Sequence, residues 1–304
     1  MATRGTVPPF MGTAKAKSPE GFAAAVFGAP HGTPYRGIDN RVHQTAPDAF
    51  RAALEEDSAW VGHWDFDLGG PVLGHGLSIA DLGNLPTRSA DGARNRQLIE
   101  GRTRAILDAG AVPIMFGGDD SVPIPFIQAF SRQPPIVILQ IDAHIDWRDE
   151  RENEPFGFSS TMRRASEQAH VWRIVQAGIR GLGSAREAEV RDALDWGARI
   201  VTSREIHDHG IAAALEHIPG DCDCVISFDC DALDLSLMPA VAYPTPGGLS
   251  FGQVTGLIDG VAAKARIAGF AMVEFVPRRD PAGTAAFTAA RIATHVIGRL
   301  AAKP

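Results

Sequence analysis

Short, continuously apolar runs alternate with amphipathic segments from residue 22 onward, and that alternation leaves few folds open. Runs at 23–29 (AAAVFGA), 112–116 (VPIMF), 135–141 (PIVILQI), 172–178, 199–202, 224–228 (CVISF) and 268–275 (AGFAMVEF) read as strands. Segments at 46–55, 92–108, 161–169, 185–196, 205–217, 251–265 and 281–300 carry helical periodicity. A strand apolar on both faces must be covered on both, and parallel strands need crossover helices. The pattern predicts the α/β class: a three-layer α/β/α fold around a mostly parallel sheet. With no repeat, low-complexity tract or linker, residues 22–304 read as a single domain. Residues 1–21 read as an N-terminal arm, because Pro8, Pro9 and Pro19 disfavour a helix there. The Gly- and Pro-rich stretches 30–45 and 66–91 read as long loops.

Composition removes several function classes. Lys and Arg number 29 against 36 Asp and Glu, a net charge of -7, which argues against a nucleic-acid or anionic-membrane partner. Three cysteines cannot build a disulfide framework, and they suit a reducing, cytoplasmic setting. No stretch is apolar enough to span a membrane, and the first residues have no signal-like apolar core.

The unusual feature is acid placed directly after apolar strands. PIVILQI runs into Asp142, Ala143, His144, Ile145 and Asp146, and CVISF into Asp229, Cys230 and Asp231. VPIMF leads through two glycines to Asp119 and Asp120, and Glu274 follows Val273. Ligands of parallel α/β sheets bind beyond the carboxyl ends of the strands, so these acids should share one rim. One such Asp would be an ordinary cap or turn former. The set is different: Asp142, His144 and Asp146 alternate by two, as do Asp229 and Asp231. Carboxylates packed this closely repel unless cations neutralise them. Several hard oxygen donors with one imidazole suit two divalent metals, and a metal pair lowers the pKa of water between its ions.

DAHID at 142–146 and SFDCDALD at 227–234 resemble two signature motifs of the ureohydrolase family, the arginases, agmatinases and related guanidino hydrolases. GGDDS at 117–121, PTPGGLS at 244–250 and VEFVP at 273–277 with Asp280 resemble three more, in family order. Residues 28–40 and 159–166 look closest to agmatinases. The resemblance implies an arginase-like fold and hydrolysis of a guanidino group to urea and an amine by two Mn2+ ions, with other divalent metals as substitutes. It implies one ion held by Asp120, Asp142, Asp146 and Asp229, and another by Asp142, His144, Asp229 and Asp231. It makes Asp146 the proton carrier and Glu274 the carboxylate that grips a small cationic guanidino substrate. It also implies a homo-oligomer, a trimer or hexamer. The leading expectation is agmatine cleaved to putrescine and urea. The alternatives are a guanidino acid such as 4-guanidinobutyrate, a formimino compound, or a degenerate member that only binds a ligand.

Three departures bear on the chemistry. Asp120 stands where the family has histidine. The extra charge should raise the pKa of water between the ions and favour manganese or magnesium over zinc. A family His-Gly pair is replaced around Phe156–Phe158, where Phe158 could wall a methylene chain. Arg148 and Arg151 follow the metal loop, where a basic side chain could bind a substrate carboxylate or pair with neighbouring acids; Arg148 is the substrate-binding candidate. Cys222, Cys224 and Cys230 read as structural, because no second Cys/His pair is spaced for zinc.

Overall fold

The computed structural model describes residues 7–301. The strands are β1 (Ala14–Lys15), β2 (Ala24–Ala29), β3 (Trp64–Asp65), β4 (Gly70–Pro71), β5 (Ile79–Asn84), β6 (Val112–Gly117), β7 (Ile136–Ile141), β8 (Val171–Ile179), β9 (Arg199–Thr202), β10 (Asp223–Asp229) and β11 (Arg266–Val273). The helices are α1 (Ala46–Ala53), α2 (Gly92–Asp108), α3 (Pro123–Gln128), α4 (Thr161–Ser166), α5 (Glu187–Trp196), α6 (Ser203–His209), α7 (Ala212–Leu215), α8 (Phe251–Ala262) and α9 (Thr284–Ala301). Nine strands form one sheet in the order β1-β5-β2-β6-β11-β10-β7-β8-β9, and every pairing in it is parallel. β3 and β4 form a separate antiparallel pair.

Both faces of the sheet are covered, as the unbroken apolar runs require. Val137, Leu139 and Ile141 of β7 join the core on one face, and Ile136 and Ile138 join the core on the other. The strand interior is buried throughout. Three-layer α/β architecture is therefore present, with helices flanking the sheet.

Several elements depart from the expectation for identifiable reasons. β5 lies inside the stretch read as loop, its apolar start followed by Gly83 at φ 69°. α3 forms despite two prolines because Pro123 sits in its first turn, where a missing N–H costs nothing. The expected helix 205–217 is two helices, broken at Gly210 (φ 80°). Residues 1–6 of the expected arm lie outside the described residues. From Val7 on, the arm is part of the body: Phe10 is fully buried, edge-on to Phe116 at 4.8 Å, and Ala14–Lys15 pairs with β5. That burial is what an apolar Phe-Met pair next to an open sheet edge favours.

The four strands that run into acids are immediate neighbours in the sheet: β6, β11, β10 and β7. Their carboxyl ends are level, with Phe228 opposite Ile141, Asp229 opposite Val273, and Met272 opposite Phe116. The chain also reverses direction across the sheet here, since β7 leads outward to β8 while β10 returns on its other side. Such a switch point opens a crevice for ligands.

Candidate metal centre

Strand ends bring the acids together and bury them. Asp120, Asp142, Asp229 and Asp231 are 1–3% exposed, and Glu274 and Asp146 are 6% and 7%. Asp142, His144 and Asp231 present ligand atoms within 4.8 Å of one another, and so do Asp120, Asp142 and Asp229. Asp142 belongs to both groups. Asp146 belongs to neither, although it lines the same cavity and shares a hydrogen-bond donor with Asp142.

Local backbone geometry sets these positions. Asp146 (φ 44°) and Glu274 (φ 65°) occupy the left-handed region, which costs about 1–3 kcal/mol for such residues and marks a site held by its surroundings. The Asp146 carbonyl accepts from the amides of Met162 and Arg163 in α4, which anchors the turn. Glu274 Oε1 accepts from the Asp120 amide at 2.9 Å, tying the ends of β6 and β11 together. Asp231 Oδ1 accepts from the Ala143 amide at 3.1 Å, tying β10 to β7. Gly183 lets a rim loop approach His144, since a Cβ there would meet His144 Cδ2 at 2.7 Å.

Electrostatics point to missing positive charge. Burial, then the neighbouring Asp146 and Asp142, pushes the Asp120 carboxyl well above the usual carboxylate range. Burial followed by Asp142 does the same to Asp146, and burial followed by Asp231 does so to Asp229. Burial lifts Glu274 to about 7, against the opposing pull of His43, whose Nε2 lies 3.6 Å from Glu274 Oε2. Burial works to lower His144, but Asp142 and Asp231 outweigh it and push the imidazole up to about 12. Burial and mutual repulsion thus favour uptake of positive charge by the cluster, for which divalent ions would compete with protons. The buried Asp120 Oδ2 has no hydrogen-bond partner among the described residues. An orphaned carboxylate oxygen beside two further acids is what a cation would satisfy, so the donor set fits a pair of hard divalent ions.

A cavity of about 450 Å3 opens over the cluster. Its floor is Asp120, His144, Asp146, Asp229, Asp231 and Glu274; Phe158, Tyr243 and Thr245 form walls, and Leu182 (99% exposed) stands at the mouth. Phe158 packs edge-on to Tyr35 at 4.9 Å and lies 5.8 Å from Tyr243, which makes this side of the cavity aromatic. Arg148 does not line the cavity. Its Nη2 donates to the Ser184 carbonyl at 2.8 Å, and Glu189 is 3.9 Å from its Nε. Arg148 thus turns to the rim residue Ser184, and the guanidinium among the residues lining the cavity is that of Arg151.

Sequence reasoning missed the supporting residues. Gln140 and Gln176 lie beneath the acids, and the signal was present as a lone amide two residues before Asp142 in an otherwise apolar strand. Tyr35 and Tyr243 reach the site from loops, and no local pattern marks them.

Residues 22–298 match the model of the arginase family. Guanidinopropionase of Pseudomonas aeruginosa is 30% identical over 231 residues, 74% of this chain and 72% of its own. N(1)-aminopropylagmatine ureohydrolase of Thermococcus kodakarensis is 29% identical over 263 residues, 84% of this chain and 83% of its own. The solved structure of proclavaminate amidino hydrolase from Streptomyces clavuligerus matches with a TM-score of 0.85 at 25% identity, over 98% of both chains.

Proposed function

The chain belongs to the arginase family, hydrolases of guanidino and amidino groups, and we propose that its own substrate is a linear guanidino acid, cleaved to urea and an amino acid. One observation carries the choice of acid over agmatine. Arg151 lines the cavity, and among the described residues it has no carboxylate within 4.0 Å. Two other arginines of this region differ: Arg164 pairs with Asp149 at 2.6 Å, and Arg148 sits near Glu189. A two-residue turn holds Arg151 in place, with Glu152 (φ 53°) and Asn153 (φ 65°) at its centre and amide–carbonyl bonds between Arg151 and Glu154 at 3.1 and 3.0 Å. The guanidinium lies 5.2 Å from the Tyr35 ring. Every acid lining the cavity belongs to the buried floor, so the mouth offers a cation and no anion. Agmatine would place its ammonium near that cation. A carboxylate would pair with it, through charge-assisted bonds worth about 1.5–3 kcal/mol.

Two Mn2+ ions would be held by Asp120, Asp142 and Asp229 and by Asp142, His144 and Asp231, with Asp146 beside them. When bound, such a pair supplies a nucleophilic oxygen at neutral pH and stabilises charge in the transition state. Glu274, fixed at Oε1 by the Asp120 amide, pairs with the planar guanidinium and orients its carbon over the floor. Phe158 and Tyr243 flank the methylene chain and exclude water. Asp146, on the cavity floor beside the ions, would take the proton that the attacking water gives up and pass it to the leaving nitrogen as the C–N bond breaks.

The test is urea release, with manganese added, from 3-guanidinopropionate, 4-guanidinobutyrate and agmatine, with formamide release from N-formimidoylglutamate alongside. A guanidino acid should show the highest kcat/KM, with agmatine at least about 10-fold lower. Faster turnover of agmatine would contradict the charge argument. No turnover of any by the metal-loaded protein would contradict hydrolysis.

A further inference from the structure

Beneath the acids, two amides form a short relay with a fixed polarity. Gln140 on β7 and Gln176 on β8 are register partners, 1% and 0% exposed. Gln140 Nε2 donates to Asp142 Oδ2 and to Asp146 Oδ2, both at 2.8 Å. Gln140 Oε1 accepts from Gln176 Nε2 at 2.5 Å, and Gln176 Nε2 also donates to the Ile145 carbonyl at 2.8 Å. An amide is nearly symmetric in shape, so its orientation must come from its partners. Here every partner at the nitrogen ends is an acceptor. Gln176 keeps this orientation even though its buried Oε1 has no partner among the described residues. Turning it over would set that oxygen against Gln140 Oε1 and the Ile145 carbonyl.

We propose that Gln140, oriented by Gln176, is a positioning residue for the metal centre: by holding Oδ2 of both Asp142 and Asp146 it fixes how the two carboxylates are presented to the cations. Asp142 belongs to both ligand groups, so one amide steadies both halves of the centre. An amide suits the task better than other donors. Lysine or arginine would add a charge that competes with the metal, and a hydroxyl has only one hydrogen for two acceptors. Partners that orient metal ligands typically govern 10–100-fold in affinity. The inference rests on the two-cation reading of the centre and is independent of the substrate.

The experiment measures manganese affinity by electron paramagnetic resonance and calorimetry for the unmodified protein, Gln140→Met, Gln176→Met and the double variant. Thermal melting of each metal-free protein establishes that it is folded. Gln140→Met should bind manganese about 10–100-fold more weakly. Gln176→Met, which keeps the direct contacts, should lose about 3–10-fold, and the double variant should be no worse than Gln140→Met alone, because Gln176 acts through Gln140. A merely structural pair would lower the melting temperature and leave the affinity of the folded protein alone, which would overturn the proposal; additive losses would overturn the relay. If Gln140→Met does not fold, unchanged affinity in Gln176→Met is the overturning result. Failure of the unmodified protein to bind manganese would overturn the metal centre as well, and so is distinguishable.

Discussion

The floor and the mouth of the cavity are built from different parts of the chain. Asp120, Asp142, Asp229 and Glu274 each lie within three residues of the end of a strand in a parallel sheet. Strand register fixes their positions, and hydrogen bonds from backbone amides to carboxylates across neighbouring strand ends lock them. The mouth is made of Arg151, Leu182 and Tyr243, on loops without strand pairing other than the short Arg151–Glu154 bridge. The floor is thereby suited to chemistry shared across a family and the mouth to the choice of substrate, as expected of loops carried on a rigid scaffold.

Four changes probe that division, and the largest effect belongs at the floor. Asp142→Asn removes the carboxylate common to both ligand groups, and turnover should fall roughly 10^3-fold with every substrate. A loss confined to one substrate would mean that floor and mouth are not separable. Arg151→Met should lower kcat/KM for guanidino acids about 10–100-fold, mainly through KM, and leave or improve that for agmatine. An equal loss for both substrates would assign Arg151 a structural role. Asp120→His removes one negative charge from the floor, so the alkaline shift expected of the native site should reverse. The acid limb of the pH–rate profile should then move about 1 unit lower; an unmoved limb would show that Asp120 does not set it.

The smallest effect is on stability. The folded-state pKa of Glu274 is raised, so its contribution to metal-free stability is fully present below the unfolded value of 4.5 and is lost as pH rises through about 7. The raised acids Asp120, Asp146 and Asp229 act in the same direction. Metal-free protein should therefore melt at falling temperature between pH 5 and pH 7, while the gain on adding manganese grows over that range. A metal-induced gain that shrinks with rising pH would contradict the electrostatics of the floor.

How far the sequence could be read follows the same division. The apolar runs before each acid are visible in one dimension, but the alternation by two at Asp142, His144 and Asp146 is not strand geometry, because β7 ends at Ile141 and Asp146 turns back at φ 44°. That β6, β11, β10 and β7 are neighbours is a matter of topology, which no local pattern carries. β5 escaped because its glycine and polar residues resemble a loop, and only pairing with β1 and β2 makes it a strand. The choice between Arg148 and Arg151 depended on a turn with two left-handed non-glycine residues, Glu152 and Asn153, which propensity disfavours. Gln140 was legible as an anomaly, but its purpose depended on Gln176 from the next strand.

If these buried acids share one rim because paired divalent cations sit among them, metal-free protein should take up those cations. Calorimetric titration of metal-free protein with manganese, run at one pH in two buffers of different ionisation enthalpy, tests it most directly. Two ions should bind per chain, protons should be released on binding, and Asp142→Asn should lose both ions. Binding of no ion, or two ions bound as tightly by Asp142→Asn with no proton released, would contradict this.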